Sequence, residues 1–147
     1  MSREFSDVLQ DLQSDGGLRD FYIRDANRAD WNAFLRRVKE ESAAVSFTVD
    51  GEVRELPGAF EAIEQIRAEA APSLSVRVAD SLVCCHFFCD AEIELDFRPK
   101  DYRTPERCAA LCNFFQAIVD GVGKPGIVSF ENVPTDVIEE FHPRLSG

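Results

Sequence analysis

A chain of 147 residues that is 45% hydrophobic, with 12 Phe, carries enough apolar material to close one core of its own. Its 27 acidic against 16 basic residues leave a net charge of −11, a field that repels nucleic acid phosphates and anionic lipid headgroups. The first residues are charged where a secretion signal needs an apolar run, no stretch nears the ~18 apolar residues of a membrane span, and the five cysteines are odd in number, so a cytoplasmic protein with reduced thiols is expected.

Phe5, Val8, Leu9 and Leu12 recur at helical spacing and predict a short amphipathic helix from Ser2 to Gln13, ended by Ser14-Asp15-Gly16-Gly17. Arg19 to Arg24 reads as a strand around Phe21, Tyr22 and Ile23. The best-marked helix comes next. Asn27 caps it, Asp30 stands three residues on in the position of a capping box, and Trp31, Phe34, Leu35 and Val38 form one apolar stripe.

Ala44 to Val49 and Glu52 to Leu56 flank Asp50-Gly51, a pair suited to the positive φ angles of a type I′ hairpin. Pro57-Gly58 breaks the second strand, and a helix from Ala59 to Ala70 turns Phe60, Ile63 and Ile66 inward. Three strands follow in quick succession: Ser73 to Val78, Leu82 to Phe88 and Ala91 to Phe97. Links this short join only antiparallel neighbours, so the three form a meander. Thr104-Pro105 opens the longest helix, with Cys108, Leu111, Cys112, Phe115, Ile118, Val119 and Val122 as its stripe and Gly121 and Gly123 at its end. Gly126 to Phe130 is a last strand, and Pro134 to Phe141 reads as a short terminal helix. No repeat or linker interrupts residues 1–147. The expected fold class is a single α+β domain: a mostly antiparallel sheet, hairpin plus three-stranded meander, packed against helices.

The register of the meander bears on function. Leu74, Val76 and Val78 give one outer strand an unambiguous inner face, and Ile93, Leu95 and Phe97 give the other. The middle strand is ambiguous. A two-residue Cys89-Asp90 turn would pair His86 with Ile93 and Cys84 with Leu95, and a three-residue Ala79-Asp80-Ser81 loop would pair Val78 with Leu82. Val83, Cys85 and Phe87 would then stand on the outer face with Ser75 and Arg77, beside an acidic column of Glu92, Glu94 and Asp96. Such an acid–apolar face suits docking of a basic partner. The alternative is that helix side chains cover Val83 and Phe87, while Arg77 and solvent relieve the acids.

The chemistry-bearing residues assemble no familiar site. Cys84, Cys85, His86 and Cys89 lack the C-x2-C knuckles of structural zinc, and adjacent strand residues point to opposite faces, so no metal is expected. Cys108 and Cys112 fall inside an apolar stripe. A thiol nucleophile needs a histidine base, and only His86 and His142 are present. His86 would approach Cys108 or Cys112 only if the long helix packed on its face. Asp90, Glu92, Glu94 and Asp96 alternate along one face roughly 6–7 Å apart, which reads as a solvated strand face. Gly121-x-Gly123-Lys124-Pro125 follows a helix and is no phosphate loop.

The leading expectation is a non-enzymatic acidic binding module that docks a basic protein, in the manner of an immunity or antitoxin-type inhibitor. Its contact residues would be Glu92, Glu94, Asp96, Val83 and Phe87, with no cofactor, no nucleic acid and no membrane partner. Two alternatives stay open: an enzyme with a site near His86 and the cysteines, and a homo-oligomer (a homodimer, for instance) pairing through Val83, Cys85 and Phe87.

Overall fold

A computed structural model describes residues 19–41, 44–130 and 133–144 of the chain. The helix expected over Ser2 to Gln13 lies outside the described residues. The elements run β1 (Arg19–Ile23), α1 (Arg28–Glu41), β2 (Val45–Val49), β3 (Glu52–Arg54), α2 (Phe60–Arg67), β4 (Pro72–Val78), β5 (Ser81–Cys85), β6 (Ile93–Phe97), a 3₁₀ turn (Pro99–Tyr102), α3 (Pro105–Val122), β7 (Gly126–Phe130) and β8 (Val133–Phe141). The eight strands make one antiparallel sheet in the order β3-β2-β4-β5-β6-β1-β7-β8. The protein is thus α+β, as its patterning predicts.

Local signals form the elements as read. The Asp30 N–H donates to Asn27 Oδ1 at 2.9 Å and the Asn27 N–H to Asp30 Oδ2 at 3.0 Å, a reciprocal capping box. Asp50 and Gly51 have φ of 52° and 82°, the left-handed pair a type I′ turn needs. Thr104 Oγ1 accepts from the Arg107 N–H at 3.2 Å and caps α3.

One core joins the apolar stripes of α1, α2 and α3 to the inner face of the sheet. Aromatic rings dominate it. Trp31 stacks on Phe60 with centroids 4.5 Å apart, and Phe21 stacks on Phe115 at 4.3 Å. The second contact explains Gly126, where a Cβ would come within 2.6 Å of the Phe21 ring.

Two expectations are corrected. The first is the register of β5. Val78 pairs with Ser81 through a two-residue Ala79-Asp80 turn, and Cys84 pairs with Asp96. Both differ by one residue from the expected pairing, so every β5 side chain changes face. Val83, Cys85 and Phe87 point into the core, Val83 and Phe87 each only 1% exposed. The two candidate inner faces are nearly equal in apolar content, and His86 separates them. Turned inward, its imidazole would lose water, and an unsatisfied buried polar group costs about 1–3 kcal/mol. Turned outward, its Nδ1 lies 3.4 Å from Ser73 Oγ and its Nε2 lies 3.3 Å from Asp96 Oδ2. The strand also ends at Cys85, and residues 86–92 form a loop in place of the two-residue Cys89-Asp90 turn.

The second correction is the C-terminus, where Pro134 to Phe141 is strand and not helix. β8 pairs with β7, with register shifts beside Ser129. An edge strand tolerates Pro134 because one of its sides has no ladder to complete. Phe141 is buried with its ring edge-on to Phe21 at 6.1 Å and Phe115 at 5.9 Å. Extended backbone delivers that ring to the core.

Candidate functional site

The described helices pack against one face of the sheet, and the opposite face mixes polar and acidic side chains with apolar ones, Leu82 among them. Alternation puts Asp20 and Tyr22 of β1 on this outer face, since Phe21 and Ile23 face the core. Across the strands Cys84 pairs with Asp96, Asp96 with Asp20, and Glu94 with Tyr22. The acidic column of Glu92, Glu94 and Asp96 therefore lies on the outer face as expected, joined by Asp20 from a strand distant in sequence.

The four carboxylates repel one another. Burial, with Asp20, Glu92 and Asp96 as like-charged neighbours, holds the Glu94 carboxyl above its ordinary range. Asp20 is 3% exposed and accepts from the Tyr22 hydroxyl at 3.0 Å. Burial and the Asp20 charge push the Tyr22 phenol up, so it stays a donor.

Proton linkage turns the Glu94 shift into a stability effect. Folded protein holds this proton more tightly than unfolded chain, so stability is lost as pH rises from the unfolded value through the folded one. Glu94→Gln is expected to raise the urea midpoint at pH 7. Solvent screening on this half-open face keeps the gain to a few tenths of a kcal/mol, roughly the size of an exposed ion pair. The gain disappears as pH falls below the carboxylate range. A variant less stable than the parent at neutral pH would place Glu94 in a stabilising pair instead.

The apolar column beside these acids differs from the expected one. Val83 and Phe87 are core residues, so neither contacts anything docked on this face, and Val83, Cys85 and Phe87 offer no surface to a second copy. Leu82, Cys84, His86 and Phe88 hold the outer positions. Leu82 is 44% and Phe88 72% exposed, and the Phe88 ring stacks on His86 with centroids 5.2 Å apart.

The loop carrying Phe88 is braced from the helix layer. Arg67 Nη1 donates to the Phe87 carbonyl at 2.9 Å, and the Arg67 guanidinium pairs with Asp90. Trp31 Nε1 donates to the Asp90 carbonyl at 2.8 Å, and the Ala26 N–H to the Ala91 carbonyl at 2.8 Å. Phe87 has φ of 56°, a region bulky residues rarely enter, and this sends Phe88 outward.

Chemistry around His86 is restricted. Ser73, His86 and Asp96 stand in the order of a nucleophile, base and acid, but on an open sheet face, and His86 lines none of the four principal clefts. Burial pushes the Cys84 thiol up and the Cys85 thiol to about 12, away from thiolate chemistry. Cys108 and Cys112 are buried in the helix layer, on the far side of the sheet from His86, and a hydrogen bond from Cys112 holds Cys108 below the usual thiol range. Among the described residues no group of His, Cys, Asp and Glu is arranged to hold a metal ion, and no helix is long and apolar enough to cross a membrane.

A cleft of about 370 Å³ opens beside Leu82, Cys84 and Asp96, with Arg77 and Arg98 on its rim, so the acidic strip has a mixed-charge end. A larger one, about 500 Å³, lies by Tyr22, Ile127 and Glu140. Its Lys124 is already engaged, with Nζ 2.6 Å from Asp30 Oδ2 and 2.6 Å from the Asp25 carbonyl.

Sequence reasoning missed Asp20, Tyr22, Leu82 and Phe88. The Asp20-Phe21-Tyr22-Ile23 alternation marks a polar face, but nothing local places β1 beside β6. Comparison with protein-family models, curated proteins and solved structures found no match for this chain.

Proposed function

We propose that the protein is a binding module whose outer sheet face docks a basic protein partner, as an immunity or antitoxin-type inhibitor does. The observation that carries this reading is the half-buried row of Glu92, Glu94 and Asp96 on the face away from the described helices, with the buried Asp20 charge behind it. Like charges set side by side on a sheet oppose folding by roughly 0.2–1 kcal/mol per neighbouring pair. A cationic partner relieves that repulsion on binding. The exposed Leu82 and Phe88 add an apolar centre to the charged surround, the usual anatomy of a protein interface. The net charge of −11 speeds the encounter with a cation.

The test uses purified cationic nucleases as probes, with binding and residual nuclease activity measured at low and moderate salt. Glu92→Lys, Glu94→Lys and Asp96→Lys combined are expected to weaken binding by about tenfold or more and to release inhibition. A control carrying Glu61→Lys, Glu69→Lys and Glu106→Lys changes the net charge equally at exposed sites on the helix side and is expected to stay within about twofold of the parent. Equal losses in both variants would reduce the effect to net charge, and no binding by any cationic probe would remove the docking reading.

A further inference from the structure

We infer that the Phe88–His86 aromatic ledge selects an arginine side chain of the basic partner, an assignment that rests on the docking reading above. Phe88 is held out into solvent by a loop that cannot easily relax. Its neighbour Phe87 is locked in the core against Trp31 at 5.6 Å and Phe47 at 6.3 Å, with a left-handed backbone. Arg67, Trp31 and the Ala26 N–H fix the backbone on either side. An exposed ring presented this way loses little freedom when covered, which is what an anchor residue requires.

The chemistry of the occupant follows from what surrounds the ring. One side of Phe88 lies on His86, whose Nε2 is 3.3 Å from Asp96. Glu94 and Glu92 continue the negative charge along the same sheet face. A group that matches both features is flat, cationic and weakly hydrated. A guanidinium stacks flat on the ring and still directs N–H donors at carboxylates, whereas a lysine ammonium, compact and strongly hydrated, is drawn to the ring but cannot stack on it.

The experiment compares two synthetic peptides of equal length and charge, one with arginine and one with lysine at every basic position. Each is titrated into the full chain by calorimetry. The arginine peptide is expected to bind about twofold tighter, the low end of an exposed cation–π contact, because lysine keeps part of that attraction. Phe88→Ala and Phe88→Leu are expected to weaken both peptides and to abolish that preference, so that the two affinities become equal; the leucine variant keeps apolar bulk without a π face. Phe88→Trp is expected to keep the preference. Equal affinity of both peptides for the parent protein, or a preference that survives in Phe88→Leu, overturns the assignment. If both peptides bind equally and Glu94→Lys weakens both, the docking reading stands and only the arginine selection falls. If neither binds, both fall together.

Discussion

Trp31→Ala is expected to destabilise the protein by about 3–5 kcal/mol, the usual cost of deleting a large buried aromatic side chain. The indole is 1% exposed and stacks on Phe60 with rings 4° from parallel. It also meets Phe34 edge-on at 5.6 Å and Phe87 at 5.6 Å. One side chain therefore ties α1 to α2 and to the loop after β5. Its Nε1 donates to the Asp90 carbonyl at 2.8 Å, and truncation leaves that carbonyl without the donor. Urea denaturation of parent and variant checks the value, and a loss under about 1 kcal/mol would contradict the placement of Trp31 in the core. Trp31→Phe separates the two contributions. It keeps an aromatic ring and loses the hydrogen bond, so a smaller loss, about 1–2 kcal/mol, is expected together with faster amide exchange in residues 86–92.

Phe115→Ala is expected to cost a similar amount, about 3–5 kcal/mol, at the opposite end of the core. Its ring lies 3° from parallel to Phe21 of β1. Phe97 of β6 is 5.5 Å away and Phe141 of β8 is 5.9 Å away. Loss of the ring removes the common partner of three strands. β8 is the edge strand, so it is expected to open first, and hydrogen exchange along Val133–Phe141 should accelerate more than exchange in β4 or β5. Uniform acceleration across the sheet would show that β8 does not depend on this cluster. Phe115→Leu retains much of the volume and is expected to lose under about 1.5 kcal/mol.

The candidate site was legible only in part. Glu92, Glu94 and Asp96 alternate with Ile93, Leu95 and Phe97, and that alternation alone puts the acids on the face away from the core. The acid–apolar adjacency was legible as well, but with the wrong residues. Val83 and Phe87 were expected beside the acids, and Leu82, His86 and Phe88 stand there. The strand Leu82 to Phe88 carries apolar residues on both faces, so its pattern does not choose between registers. His86 favours the observed choice, because outside it meets Ser73 and Asp96, whereas inside it would give up its hydration.

What the sequence determined by itself is local. The Asn27–Asp30 capping box, the Thr104-Pro105 helix start, the Asp50-Gly51 turn and the stripes of α1 and α3 depend on residues within a few positions of one another. The caps and turns act locally, and the stripes mark which helix face will be buried, although their stabilisation comes only with packing. What only the tertiary structure decided is non-local. The insertion of β1 between β6 and β7, which brings Asp20 to Asp96, joins segments more than 70 residues apart. The extended form of β8 is held by its ladder with β7, and it brings Phe141 to the core. Alternation gives a strand two faces of nearly equal worth, and a one-residue shift exchanges them. Only the partners on neighbouring strands and on the helices above break that near-degeneracy.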